Sequence, residues 1–268
     1  MYLNSKGTDI DLECAEKYLL LSADSNNYKA QYMLGKLYQS DNKKDLQKAE
    51  KVLIKGAENA QDKTGLCEYS LGKLYLSQER YDKAASYLER SAAKDNYYAA
   101  YTLGKLYQEQ FNDNALAEKH LMHAAEHKDD VMGIAAYRLG KLYLSFQEKR
   151  KALQYFIKAA DKDNTYGMYA AGKILLDSRK STEVSKGIRY LSSAADKDFE
   201  PAIYTMGKYY SSFNNTKAKE YLKRSAFEYN DPNAQYILGK VYLSENKNEM
   251  AEKCFRQCAL NGNNSGQL

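Results

Sequence analysis

Seven times along this chain a tyrosine is followed, three residues later, by the dipeptide Gly-Lys. The glycines are Gly35, Gly72, Gly104, Gly140, Gly172, Gly207 and Gly239, at successive intervals of 37, 32, 36, 32, 35 and 32 residues. Recurrence at such a period marks a repeat array, and it overrides the one or two globular domains that 268 residues would otherwise suggest. Five residues before each glycine stands a small residue (Ala30, Cys67, Ala99, Ala135, Gly167, Ala202, Ala234), and three residues after it a tyrosine, except for Leu175 in the fifth copy. The positions five before, one before and two after the glycine share one helical face, so each copy reads as an amphipathic helix, helix A.

Eleven to fifteen residues past each glycine a second pattern starts: a small residue, Leu or Phe four later, and Ala four later again, as in Ala84, Leu88, Ala92 and in Ala152, Phe156, Ala160. Spacing by four keeps all three on one face, where small residues let a neighbouring helix approach closely. This helix B also precedes the first helix A, as Ala15, Leu19, Ala23. One A–B pair cannot bury its apolar stripe alone, so neighbours must stack. Only two prolines occur, and no Val/Ile/Thr alternation suggests a sheet. The expectation is an all-α, single array over residues 1–268: a partial repeat at 1–27, then repeats starting near 28, 65, 97, 133, 165, 200 and 232.

The string Tyr-x-Leu-Gly-Lys-Leu-Tyr followed by Ala-x3-Leu-x3-Ala resembles the Sel1-like branch of the tetratricopeptide-repeat superfamily over nearly the whole chain. From the first small residue of helix B to the next helix-A glycine the distance is 20 in four places (15 to 35, 84 to 104, 152 to 172, 187 to 207), which is similar to the Sel1-like return connection. Pro201 and Pro232 sit at helix-A starts, where a missing N–H is harmless. The short A-to-B loops are closer to tetratricopeptide repeats. The resemblance implies a right-handed α-solenoid of antiparallel helix pairs acting as an adaptor, with no enzyme activity and no cofactor.

Some Sel1-like proteins staple each repeat with a cysteine pair, but Cys14, Cys67, Cys254 and Cys258 lack that spacing, which points to reduced thiols in a cytoplasmic protein. No stretch of about 20 apolar residues could span a bilayer, and no basic-then-apolar leader opens the chain, so no membrane partner is expected. Residues 2–15 read as the end of a helix A, a loop and the entry to a helix B, and the tail after Ala259 as the turn into another helix A. The chain therefore reads either as a piece of a longer array or as a protein whose atypical termini act as polar caps.

Opposite the core face of helix A, the tyrosine and the lysine are spaced by four. The positions they resemble in tetratricopeptide arrays point into the concave groove where peptides bind. The expected partner-binding groove pairs Tyr32 with Lys36, Tyr69 with Lys73, Tyr101 with Lys105, Tyr137 with Lys141, Tyr169 with Lys173, Tyr204 with Lys208 and Tyr236 with Lys240. A third rung follows at Ser40, Ser77, Glu109, Ser145, Asp177, Ser212 and Ser244. Of 40 Lys and Arg and 35 Asp and Glu, removing the seven stripe lysines and two stripe acids leaves 33 of each, so the stripe carries the whole formal excess of +5. Such a row attracts an anionic partner. Against this, a lysine stem can simply lie over the ring four residues before it.

His120, His123 and His127 fall on one predicted helix, on the flank of the Ala117, Leu121, Ala125 face. The last two have the i, i+4 spacing of a chelating pair, but no zincin glutamate or cysteine partner accompanies them, so a solvated flank and no metal are expected. Cys254 and Cys258 share that spacing and read as packed thiols. Every recurrent glycine lies inside the Leu-Gly-Lys type motif, so no phosphate loop or nucleophile elbow is present. The leading expectation is a scaffold binding a protein or peptide, acidic in character. A second is association with nucleic acid, because the string Leu-Gly-Lys-Leu-Tyr-Leu looks like that of repeats appended to mobilisation relaxases. A third is a structural spacer.

Overall fold

The computed structural model describes residues 12–262, and the expectations for residues 2–11 and for the tail from 263 onward fall outside them. Described residues form helices joined by turns, with no strand among them, and they divide into two compact units, Met1–Asp130 and Val131–Leu268.

In the first unit the helices are α1 (Leu12–Asp24), α2 (Tyr28–Gln39), α3 (Leu46–Ala57), α4 (Leu66–Ser77), α5 (Tyr81–Ala93), α6 (Tyr97–Glu109) and α7 (Asn114–Glu126), with a 3-10 turn at Asp41–Lys43. The second unit has α8 (Ile134–Ser145), α9 (Lys149–Asp161), α10 (Thr165–Leu176), α11 (Ser181–Asp196), α12 (Glu200–Tyr210), α13 (Asn215–Lys223), α14 (Pro232–Ser244) and α15 (Asn248–Leu260). The A helices are α2, α4, α6, α8, α10, α12 and α14. Each packs on the B helix that follows it, and within a unit each B helix packs on the next A helix, the adjacent-pair stacking of a solenoid.

The recurrent glycine is the point where A and B touch. A Cβ built on any of the seven would lie 2.4–2.8 Å from a side-chain atom of the B-helix Leu or Phe: Leu53, Leu88, Leu121, Phe156, Leu191, Leu222 and Phe255. The first six of these large residues are 0–1 % exposed. Burial of each contributes on the order of 1.5–3 kcal/mol. The small residues five before the glycine are all buried as well, so the face expected to form the core does so.

Local chemistry ends each helix where the repeat requires. Helices α2, α6, α10 and α14 start on Asn27, Asn96, Asn164 and Asp231, whose side chains accept backbone N–H groups of the first turn. The two long returns, before α4 and α8, instead end on Gly65 and Gly133 with φ of 66° and 62°. A Cβ there would also meet the backbone of Ser91 or Ala159 within 3 Å. The return from Ala218 to Gly239 spans 21 residues, one more than the common 20. A π turn at Arg224–Glu228 absorbs the added residue, and the Asp231 N–H reaches back six residues to the Ser225 carbonyl, where the other short returns reach back five.

Candidate functional site

All seven stripe tyrosines are half-buried, and every stripe lysine except the half-buried Lys105 is exposed. Burial raises the hydroxyl pKa of Tyr69, Tyr137 and Tyr204. Five lysines lie over the ring four residues before them: Lys36 over Tyr32 at 5.6 Å, Lys73 over Tyr69 at 6.0 Å, Lys141 over Tyr137 at 6.0 Å, Lys173 over Tyr169 at 5.4 Å and Lys240 over Tyr236 at 5.6 Å. The ammonium is thus placed over a ring while each of these lysines stays exposed. Among the described residues none of the seven lysines forms an ion pair, whereas Lys43, Lys94, Lys197, Lys219 and Lys247 all do.

Successive A helices also touch one another: α2 with α4, α4 with α6, α10 with α12 and α12 with α14. Some stripe tyrosines also reach an aromatic at the start of the next A helix. Tyr69 meets Tyr98 with centroids 6.0 Å apart, Tyr137 meets Tyr166 at 5.6 Å, and Tyr169 meets Phe199 at 5.4 Å. Tyr98 and Tyr166 are 57 % and 56 % exposed.

The third rung is occupied otherwise. Ser40, Ser77, Ser145 and Ser244 donate their hydroxyls to the carbonyl three residues earlier, at 2.6–2.7 Å, closing the last turn of helix A. These serines are helix-end caps. The tyrosine three after the glycine is a second structural device: Tyr38, Tyr75 and Tyr107 donate to Glu16, Glu50 and Glu89 of the preceding B helix at 2.9, 2.6 and 2.6 Å. Desolvation and the carboxylate push the Tyr38 and Tyr107 hydroxyls up to about 12.

Of the three histidines, His123 keeps the solvated flank of α7 that the sequence suggests, and the other two do not. His120 is half-buried and stacks on Tyr107 at 5.6 Å, in the position that Tyr87 and Tyr155 take against Tyr75 and Tyr143. Burial lowers its pKa. His127 lies beyond α7 as its cap, with a side chain 8 % exposed, accepts the Asp129 N–H on Nδ1 and meets Asp95 through Nε2 at 3.4 Å. His123 meets the same carboxylate at 3.4 Å. Backbone and carboxylate thus occupy these imidazoles, and no metal-holding cluster of three or more His, Cys, Asp or Glu exists among the described residues. The four cysteines are free thiols, and burial raises Cys67 to about 12 and Cys254 to about 11. No helix among the described residues is long and apolar enough to cross a membrane.

Stacked helix pairs with a glycine at every A–B contact define a helical-repeat protein. Tetratricopeptide-repeat family models match residues 66–96 and 232–260. No curated protein matches the sequence. Among solved structures, the fold is similar to that of c5321, a protective antigen present in uropathogenic Escherichia coli strains that displays an SLR fold, with a TM-score of 0.78 and 21 % identity. That match covers 99 % of this chain and 60 % of the relative. A Sel1 repeat protein from Oxalobacter formigenes matches with a TM-score of 0.54 and 22 % identity over 73 % of this chain and 85 % of its own. Pseudomonas aeruginosa pilF matches at 0.56 and 16 % over 78 % and 94 %. Two segments of the chain thus match tetratricopeptide repeats, and its fold is similar to that of Sel1-like repeat proteins.

Proposed function

We propose that this chain is a non-catalytic interaction scaffold that holds an acidic protein segment against the tyrosine–lysine face of its A helices. The observation that carries the reading is the electrostatic isolation of the stripe: seven lysines without an ion pair among the described residues, which pair many of their other cations. An ammonium without a carboxylate partner costs nothing to keep in water, and it remains available to an incoming anion. Tyrosine supplies the contact area, an apolar ring with a polar tip. The A helices meet one another along each unit, as helices on the inner side of a curved stack do. Free, mostly buried cysteines support a cytoplasmic setting.

The test uses Lys36→Glu, Lys173→Glu and Lys240→Glu together, all on exposed positions. Anisotropy of a labelled Asp/Glu-rich peptide and of a labelled oligothymidylate is followed at two salt concentrations. Peptide affinity is expected to fall about tenfold in the triple variant, on the order of 0.5 kcal/mol per lysine. Unchanged peptide affinity would sink the reading, and binding confined to the oligonucleotide with a log-linear salt dependence would replace it by a nucleic-acid role. A chain that binds neither ligand is a spacer.

A further inference from the structure

Tyr98 and Tyr166 belong to a constellation that occurs twice. Tyr69, Lys73 and Tyr98 lie in the first unit, and Tyr137, Lys141 and Tyr166 lie 68 residues later, each in the second. The geometries agree: rings tilted by 35° and 37°, with the lysine at 6.0 Å over the first ring in both. The supports repeat in the same register. Gly65 and Gly133 take the left-handed conformation, and the caps Asn96 and Asn164 each donate to the carbonyl 32 residues earlier, of Thr64 at 2.9 Å and of Met132 at 2.8 Å. These bonds fix where the helix carrying the exposed tyrosine begins, and hence where its ring stands.

Packing does not require a tyrosine at this position. The other five copies have Lys29, Leu66, Ile134, Pro201 and Asn233 six residues before the glycine. An aromatic ring more than half exposed, held against a second ring and beside an unpaired ammonium, is a preorganised surface for a ligand of matching chemistry. Two rings in contact offer a continuous apolar patch, and the single ammonium selects one negative charge. Tilted rings do not form the parallel platform on which successive bases stack. Lysine and exposed ring lie at most about 12 Å apart, within the reach of four extended residues.

Building on the scaffold reading above, we propose that each unit holds one subsite for a short acidic–aromatic peptide segment, in which a carboxylate meets Lys73 or Lys141 while an aromatic side chain covers Tyr98 or Tyr166. The full chain then takes two equivalents of such a segment.

Ring resonances of isotope-labelled tyrosine report the binding directly. The full chain is titrated with the blocked peptide Gly-Phe-Gly-Asp-Gly, with its Phe-to-Ala counterpart, and with oligothymidylate. Two equivalents of the first peptide are expected, with the counterpart about fivefold weaker, the share of one aromatic contact. Tyr98→Ala should remove one equivalent and Tyr166→Ala the other. Tyr98→Lys, the residue type that this repeat position already carries at Lys29, serves as the variant certain to suit the fold. Undiminished stoichiometry in the Tyr98→Ala, Tyr166→Ala double variant overturns the subsites. The scaffold reading survives that outcome if the Lys36, Lys173 and Lys240 reversals still weaken the acidic peptide. Equal affinity for both peptides, no binding of either, or tyrosine shifts only with oligothymidylate also overturns the proposal.

Discussion

The Tyr75 hydroxyl donates to the Glu50 carboxylate across the α3–α4 contact, at 2.6 Å, while the Arg80 guanidinium sits over the same ring at 4.8 Å and Tyr87 stacks on it. The ring is 2 % exposed, so the bond ties neighbouring repeats together in a dry place. Tyr75→Phe removes it and leaves a carboxylate short of a donor, which should cost about 1–2 kcal/mol. A double-mutant cycle with Glu50→Ala by urea denaturation is expected to show coupling of at least about 0.5 kcal/mol, and additive effects would mean that the bond is idle.

Tyrosines that donate to a carboxylate set the alkaline limit of the fold. Desolvation first, and then a carboxylate neighbour, raise Tyr38, Tyr107 and Tyr190 to about 12. In the unfolded chain they titrate near the ordinary value of about 10. Below about pH 10 both states keep the proton and the contribution is intact. Between about pH 10 and 12 only the unfolded chain releases it, so stability falls as pH rises through that window. Melting temperature measured alongside tyrosinate absorbance should drop there, and Tyr38→Phe should flatten the drop. A melting temperature level across the window would contradict this account.

Glycine at the A–B contact is a volume requirement. A Cβ at Gly72 would fall 2.6 Å from Leu88 Cγ and 3.4 Å from the Ala84 carbonyl oxygen. Gly72→Ala should therefore destabilise by about 1–3 kcal/mol in spite of alanine's better helix propensity. Leu88→Ala alone should cost about 2–5 kcal/mol. Combined, the two should cost less than their sum, because each relieves the other's misfit, and strict additivity in chemical denaturation would refute the contact.

Much of this was readable in the chain. Gly, Leu and Ala recur at spacings that one helical face imposes, so the A–B contact and the buried stripe follow from periodicity alone. Residues whose role depends on the neighbouring repeat were harder to read. Ser40 and Ser77 share a wheel face with the lysines, yet sit in the last turn, where an unsatisfied carbonyl claims a hydroxyl. His127 continues an i, i+4 series but falls past the end of α7. The equivalence of Tyr98 and Tyr166 shows only when the alternation of long and short intervals is taken as a double repeat, since no single copy predicts a ring in the next. The π turn was signalled by one number, the 21-residue return before Gly239.

His120 offers a test of the stack on the tyrosine three past the glycine. In four other copies the residue just before the B-helix Leu or Phe is Tyr87, Tyr155, Tyr190 or Tyr221. Three of these stack as His120 does on Tyr107, at centroid distances of 5.5 Å for Tyr87 and Tyr155 and 6.1 Å for Tyr221. Burial holds His120 toward its neutral form, so this imidazole gives stability above its unfolded pKa and loses it as pH falls through about 6.5 and below. His120→Tyr should fold, and its melting temperature should be less sensitive to acid over that range than the parent's. An equal acid sensitivity of variant and parent would show that His120 titrates freely in the fold.

The turns between helices leave stability unused. Glu79 and Gln147 join A to B helices with φ of 57° and 61°, the left-handed region in which a side chain costs about 1–2 kcal/mol. Both are exposed, and neither side chain makes a hydrogen bond among the described residues. Glycine removes the strain but gives the unfolded chain more freedom, so Glu79→Gly and Gln147→Gly should each add a net gain of about 0.5–1 kcal/mol. The turns lie in different compact units, so their effects are expected to add. Urea midpoints of the two single variants and the double variant check this, and a midpoint that falls in either single variant would mean that the side chain supports its turn in a way the backbone angle does not reveal.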